Sequence, residues 1–212
     1  MNLIYLILAV LLLVVLAPLL VIIFVGVAGL KGLELSLGAV LFLLLLMFFC
    51  SFFNIPLGKR RYVKTLERSF FGFRERLVWR SQGVSINVGG ALIPLLIVGY
   101  FLPSLPLQAF LITTAVVAFF SFMGARFIEE RGLAISMVLP VLFAVLFSIM
   151  LSPETAPEMA FSSGVLGVLI GADLLYLPWV LKKSGGVISI GGAGIFDGIF
   201  LVGVVSAFLA GL

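Results

Sequence analysis

SIGGAGIFDGIF, residues Ser189–Phe200, decides how this chain is read. It lies in a nearly unbroken apolar segment, Gly186–Leu212, yet it carries an aspartate, Asp197, behind a run of glycines. A charge at mid-bilayer costs about 2.5–3.5 kcal/mol even on the mildest scale, so an acid in such a segment points to function.

The rest of the chain is equally apolar. Its 212 residues are 63% hydrophobic and 10% charged, with a mean hydropathy of +1.37. Soluble domains are roughly half apolar and about a quarter charged. The composition is that of an integral membrane protein, read as one transmembrane domain, 1–212. There is no histidine, which excludes imidazole acid–base chemistry and histidine metal ligands. No metal and no cofactor is expected. The one cysteine, Cys50, lies in an apolar run, cannot form an internal disulfide and reads as packing.

A span needs about 20 mostly apolar residues. That rule places seven transmembrane helices, at about 3–26, 34–54, 84–102, 106–126, 133–152, 161–181 and 187–211. Residues 1–25 lack a basic leader region, and their apolar run is too long for a signal sequence, so they read as a retained first helix. Placing 57–83 in the cytoplasm puts 12 of the 13 lysines and arginines inside and only Lys31 outside. The expected protein is a multi-pass cell-membrane protein with a cytoplasmic amino terminus and an external carboxyl terminus. Because the net charge of +4 follows this membrane pattern, it does not point to nucleic acid.

The segment KRRYVKTLERSFFGFRERLVW, 59–79, is too basic to span. Its alternation of bases with Tyr62, Phe70, Phe71, Phe73, Leu77 and Trp79 predicts an amphipathic cytoplasmic helix, interrupted near Gly72 and lying on anionic lipid headgroups along 59–80. A topology anchor and a docking element for a protein partner at the cytoplasmic face both fit that segment.

Seven of the nine acidic residues fall at helix ends or in loops, which leaves Asp173 and Asp197 inside expected spans. At 1.5 Å per residue both sit roughly 14–16 Å from the cytoplasmic ends of their helices. A short Lys-Lys-Ser-Gly-Gly turn joins the two helices, so the carboxylates are expected to face each other at one depth. Such a pair shares a proton, and it suits acid–base work on water, cation binding or a proton relay. Tyr176, one turn beyond Asp173, is a hydrogen-bond donor to the pair. Gly191, Gly192, Gly194 and Gly198, with Gly164, Gly167 and Gly171 on the preceding helix, allow close helix approach. They serve packing, or they open the backbone to a ligand, because the GGAG run lowers helix propensity.

The stretch SINVGGALIP (85–94) echoes VISIGGAGIF (187–196) at an offset of 102 residues. The echo reads as a trace of duplication or as glycine coincidence. It places Asn87, Gly90 and Pro94 on one helix face towards the aspartates, with Asn87, Ser189 and Ser85 as supporting polar groups. The expected binding set is Asn87, Gly90, Tyr176, Ser189, Gly191, Gly192 and Gly194 around Asp173 and Asp197.

Three stretches, SINVGGALIP, LIGADLLYLP (169–178) and SIGGAGIFDGIFLVG (189–203), together resemble a prokaryotic, largely archaeal family of integral membrane proteins catalogued as domain of unknown function 1614. More distantly, the last two helices are similar to presenilin and signal-peptide-peptidase intramembrane proteases, which carry one aspartate on each of two consecutive helices. Here Phe196-Asp197 resembles their Tyr-Asp motif but lies on the second helix. Ile170 stands at the first glycine of the Gly-x-Gly-Asp pattern, and no Pro-Ala-Leu occurs. Three functions follow as expectations: a small cation- or proton-binding transporter, an intramembrane aspartyl protease, or a non-catalytic assembly partner.

Overall fold

The computed structural model describes residues 23, 24, 26–68, 75–128, 132–183, 186–192 and 197–212. Seven labelled helices follow a helical stretch at 26–32: α1 (Leu37–Cys50), α2 (Ile93–Phe101), α3 (Leu107–Gly124), α4 (Val138–Leu151), α5 (Ala156–Val168), α6 (Leu177–Lys183) and α7 (Gly198–Ala210). The strands are β1 (Asn54–Arg68), β2 (Glu75–Asn87), β3 (Ala125–Ile128), β4 (Gly132–Ile135) and β5 (Val187–Ile190). Two π-helical segments, Val88–Leu92 and Leu169–Leu174, lead into α2 and out of α5.

Helix α5 is the hub. It packs against α2, α3, α4 and α7, and Met159–Val165 are all buried. A helix apolar on every side needs neighbours on every side. Glycine sets two of its crossings. Gly164 meets the backbone of Gly203 on α7, 3.2 Å from a Cβ built on Gly164, and a Cβ on Gly171 would overlap the Ala118 carbonyl of α3. These glycines are filled by protein, so the ridge Gly164–Gly167–Gly171 joins helices and leaves no gap there.

The periphery is apolar too. Helix α1 buries only Val40 and Met47, while Phe42, Leu45 and Phe49 stand more than half exposed. Such a surface suits lipid rather than water. Among the described residues, two helical runs are long and apolar enough to cross a membrane, Leu107–Gly124 and Pro153–Leu181. The runs Leu37–Cys50, Val88–Ser104, Val138–Leu151 and Gly198–Ala210 are shorter.

The basic segment corrects the sequence reading. Residues 57–68 and 75–83 do not form an amphipathic helix: β1 and β2 make a long antiparallel pair, and β5 pairs in parallel with the base of β2. The register explains it, since it sets Glu67 opposite Arg76, Arg68 opposite Glu75 and Leu66 opposite Leu77. Opposite charges and matched apolar residues across a ladder stabilise pairing. The predicted break near Gly72, in 69–74, lies outside the described residues. Strand also replaces the expected helix at 84–87, 133–135 and 187–190. Most of the first predicted span, and Gly194, lie outside the described residues as well.

Candidate carboxylate site

Asp173 sits in the π-helical segment Leu169–Leu174, where the Leu175 N–H donates to the Ile170 carbonyl at 2.8 Å. Widened turns of this kind are frequent at functional sites. Asp197 does not lie eleven residues into a helix. It is the cap residue of α7, in extended backbone, and its Oδ1 accepts from the Ile199 N–H at 3.0 Å. The chain reaches it through β5 and a turn closed by Gly192 N–H to Ser189 carbonyl at 3.1 Å. Gly191 takes φ +67° in that turn, a conformation glycine adopts without strain. Gly191 and Gly192 thus end the strand in a turn, and α7 takes Asp197 as its cap.

The two carboxylates are half-buried, and Asp197 lies close enough for its charge to act on Asp173. Strand β4 borders both of their elements. It packs against the π segment of Asp173, and Ile135 covers Gly198 at 3.4 Å from a Cβ built there. Sequence reasoning missed this cover, because Leu133–Ile135 read as the start of the span at 133–152.

The remaining expected site residues divide. Asn87 is fully buried and committed to structure: its amide donates to the Ser51 carbonyl at 2.7 Å and to Asn54 Oδ1 at 3.2 Å, and its Oδ1 accepts from Gly90 N–H at 2.8 Å. Ser189 donates to the same Asn54 Oδ1 at 2.5 Å, and Ser85 to the Ile188 carbonyl at 3.4 Å. Asn54, which the sequence reading passed over, therefore gathers Asn87 and Ser189 into one polar knot. The signal for it was an asparagine at the end of an apolar span, 34–54. Gly90 and Gly191 are in that knot too: a Cβ on Gly191 would come within 2.8 Å of the Gly90 carbonyl carbon. Gly192 is exposed at the turn. The Tyr176 ring packs edge-on to Phe122, centroids 6.1 Å apart, and tilted against Trp179 at 5.6 Å.

The two echoing stretches lie side by side, but not in the register of the echo: Ser85 pairs with Ser189 and Ile86 with Ile190 in a parallel ladder, where the echo sets Asn87 against Ser189, and each strand runs into a Gly-Gly pair. A family model described as protein of unknown function (DUF1614) matches residues 48–209. The chain belongs to the DUF1614 family. No curated protein and no solved structure matches it. The DUF1614 match covers the hairpin, the polar knot and both aspartates. No group of three or more histidines, cysteines, aspartates or glutamates suited to a metal ion occurs among the described residues.

Proposed function

We propose that this chain is a multi-pass membrane protein whose Asp173–Asp197 pair binds and passes a proton, in a small transporter. The observation that carries the reading is two half-buried carboxylates, Asp173 in a π segment and Asp197 at the cap of α7, with β4 packed on the elements of both. Interrupted helices with ionisable groups at membrane depth are how transporters build binding sites. A proton is favoured over a metal cation because the neutral oxygens that would complete an ion's shell are spent. Asn87 and Ser189 serve the polar knot.

The seven-span topology belongs to this proposal, the shorter helices crossing together with the extended chain that flanks them. Joining β5 to β2, and Gln82 to the Leu181 carbonyl, supports a single side for the basic hairpin and the Lys182–Lys183 turn. By the positive-inside rule that side is the cytoplasm. The test is proton flux in proteoliposomes with an internal pH dye. The wild type is expected to carry protons down an imposed gradient, and Asp173→Asn and Asp197→Asn to abolish that flux while folding normally. Equal flux in all three overturns the proposal.

Intramembrane aspartyl proteolysis is a second reading, favoured by β5. It is the edge strand of its sheet, and it ends seven residues before Asp197. Edge strands take up extended peptides, and an aspartate pair that shares a proton can activate water. Cleavage of a model transmembrane peptide by the purified protein, lost in Asp173→Ala and Asp197→Ala, would establish it; cleavage surviving both would reject it.

A further inference from the structure

The β1–β2 hairpin carries charge that the aspartate site does not use. Eight of the 13 lysines and arginines lie in 59–80, with only Glu67 and Glu75 against them. That is +6 in a chain of net +4. The ladder divides the hairpin into two faces. Tyr62 pairs with Ser81 and Lys64 with Trp79, and alternation puts positions 62, 64, 66, 77, 79 and 81 on one face. That face holds both aromatic residues of the paired strands, and both are open: Tyr62 is 73% and Trp79 63% exposed. The root is fixed to the helices. Three residues separate Cys50 at the end of α1 from Asn54 at the start of β1, and β2 passes directly into the π segment at Val88. A hairpin rooted between two apolar helices leaves the bilayer at its surface.

We infer that the Tyr62–Trp79 face of the hairpin lies on an anionic lipid surface, its aromatics at headgroup level and Lys64 beside them, with the hairpin's other bases drawn to the same surface by their charge. Tyrosine and tryptophan favour that depth, and juxtamembrane bases are drawn to anionic lipid within a Debye length. The inference rests on membrane insertion and is independent of proton binding at the aspartates.

The chain has two tryptophans, Trp79 and Trp179. In full-length protein carrying Trp179→Phe, the emission therefore reports Trp79. The protein is placed in nanodiscs of phosphatidylcholine alone, or of phosphatidylcholine with a quarter phosphatidylglycerol. In the anionic discs the expected result is a blue shift, loss of iodide quenching and gain of quenching by shallow doxyl lipid. The shift reverses in 1 M salt and is absent in neutral discs. Replacing Lys59, Arg60, Arg61 and Lys64 together with glutamine abolishes it, with melting temperature unchanged as the folding control. Identical emission in both discs overturns the inference. So does a blue shift indifferent to lipid charge and salt, which would place Trp79 against protein instead.

Discussion

Two strand–glycine–helix units stand side by side in this molecule, one capped by an amide ahead of its glycines and the other by an acid behind them. In the first, Asn87 ends β2 and caps the helical run that begins at Val88; in the second, Asp197 caps α7. Both oxygens accept a backbone N–H, at 2.8 and 3.0 Å. The amide of Asn87 also donates twice, to Ser51 and Asn54, and so sews β2 to the end of α1. A carboxylate has no such donors. Asp197 spends one oxygen on the Ile199 N–H and stays half-buried at the start of α7. One local device gives a structural joint when closed by an amide, and a site able to hold a proton when closed by an acid.

The largest effect that would break this comparison is at Gly89. A Cβ there would overlap the Met47 carbonyl and the Ser51 backbone nitrogen, both main-chain atoms of the α1 end. Gly89→Val is expected to destabilise by about 3 kcal/mol or more, the upper range of overpacking, and to abolish folded yield in detergent. Gly99→Ala is the control, since nothing lies within 4 Å of its Cβ position; its melting temperature should hold or rise slightly. A stable Gly89→Val would show that the first unit is not clamped to α1.

Next in size is Asn87→Asp, which makes the first cap resemble the second. It replaces two donated hydrogen bonds with an oxygen facing the oxygens of Ser51 and Asn54 in a fully buried place. Leaving buried partners unsatisfied costs about 1–3 kcal/mol, more with charge. The expected result is a melting temperature well below that of Asn87→Ser, which keeps a cap oxygen. Equal values would remove the donor argument.

The sequence showed helices, glycine contacts and the two aspartates better than it showed strands. Helices at 107–124 and 138–151 stand inside the spans that hydropathy marks at 106–126 and 133–152. Strand Val187–Ile190 was absorbed into the last span because a four-residue apolar run reads the same in helix or strand. The hairpin was hidden for another reason. Alternating bases and aromatics fit either period, and the deciding clue was long-range: Glu67-Arg68 and Glu75-Arg76 are complementary only when run antiparallel. Asp197 was legible as a chemical anomaly, but its place at the first turn of α7 depended on where the strand ended. Asn87 looked like a ligand donor because its partners, Ser51 and Asn54, lie more than thirty residues away.

A smaller effect probes how the second unit is anchored. The Gln82 amide donates to the Leu181 carbonyl near the end of α6 and so links β2 to the helix that follows Asp173. Gln82→Ala is expected to cost about 1 kcal/mol, the net worth of one such bond. Protection of the α6 carboxyl end from hydrogen exchange should fall while α3 stays unchanged. Uniform loss of protection would mean that the link does not act locally.

The smallest change in stability should come from Asp197→Asn, and it separates structure from chemistry. Asparagine caps a helix about as well as aspartate, so the bond to Ile199 N–H is kept and the melting temperature at neutral pH should move by less than about 1 kcal/mol of equivalent stability. The ability to exchange a proton with Asp173 is gone. Melting temperature plotted against pH should therefore be flatter in Asp197→Asn than in the wild type, and Asp173→Asn should flatten it to the same degree, because the proton belongs to the pair. The double variant should then be no flatter than either single one. Additive flattening would mean that the two carboxylates titrate independently, and the second cap would then be as purely structural as the first.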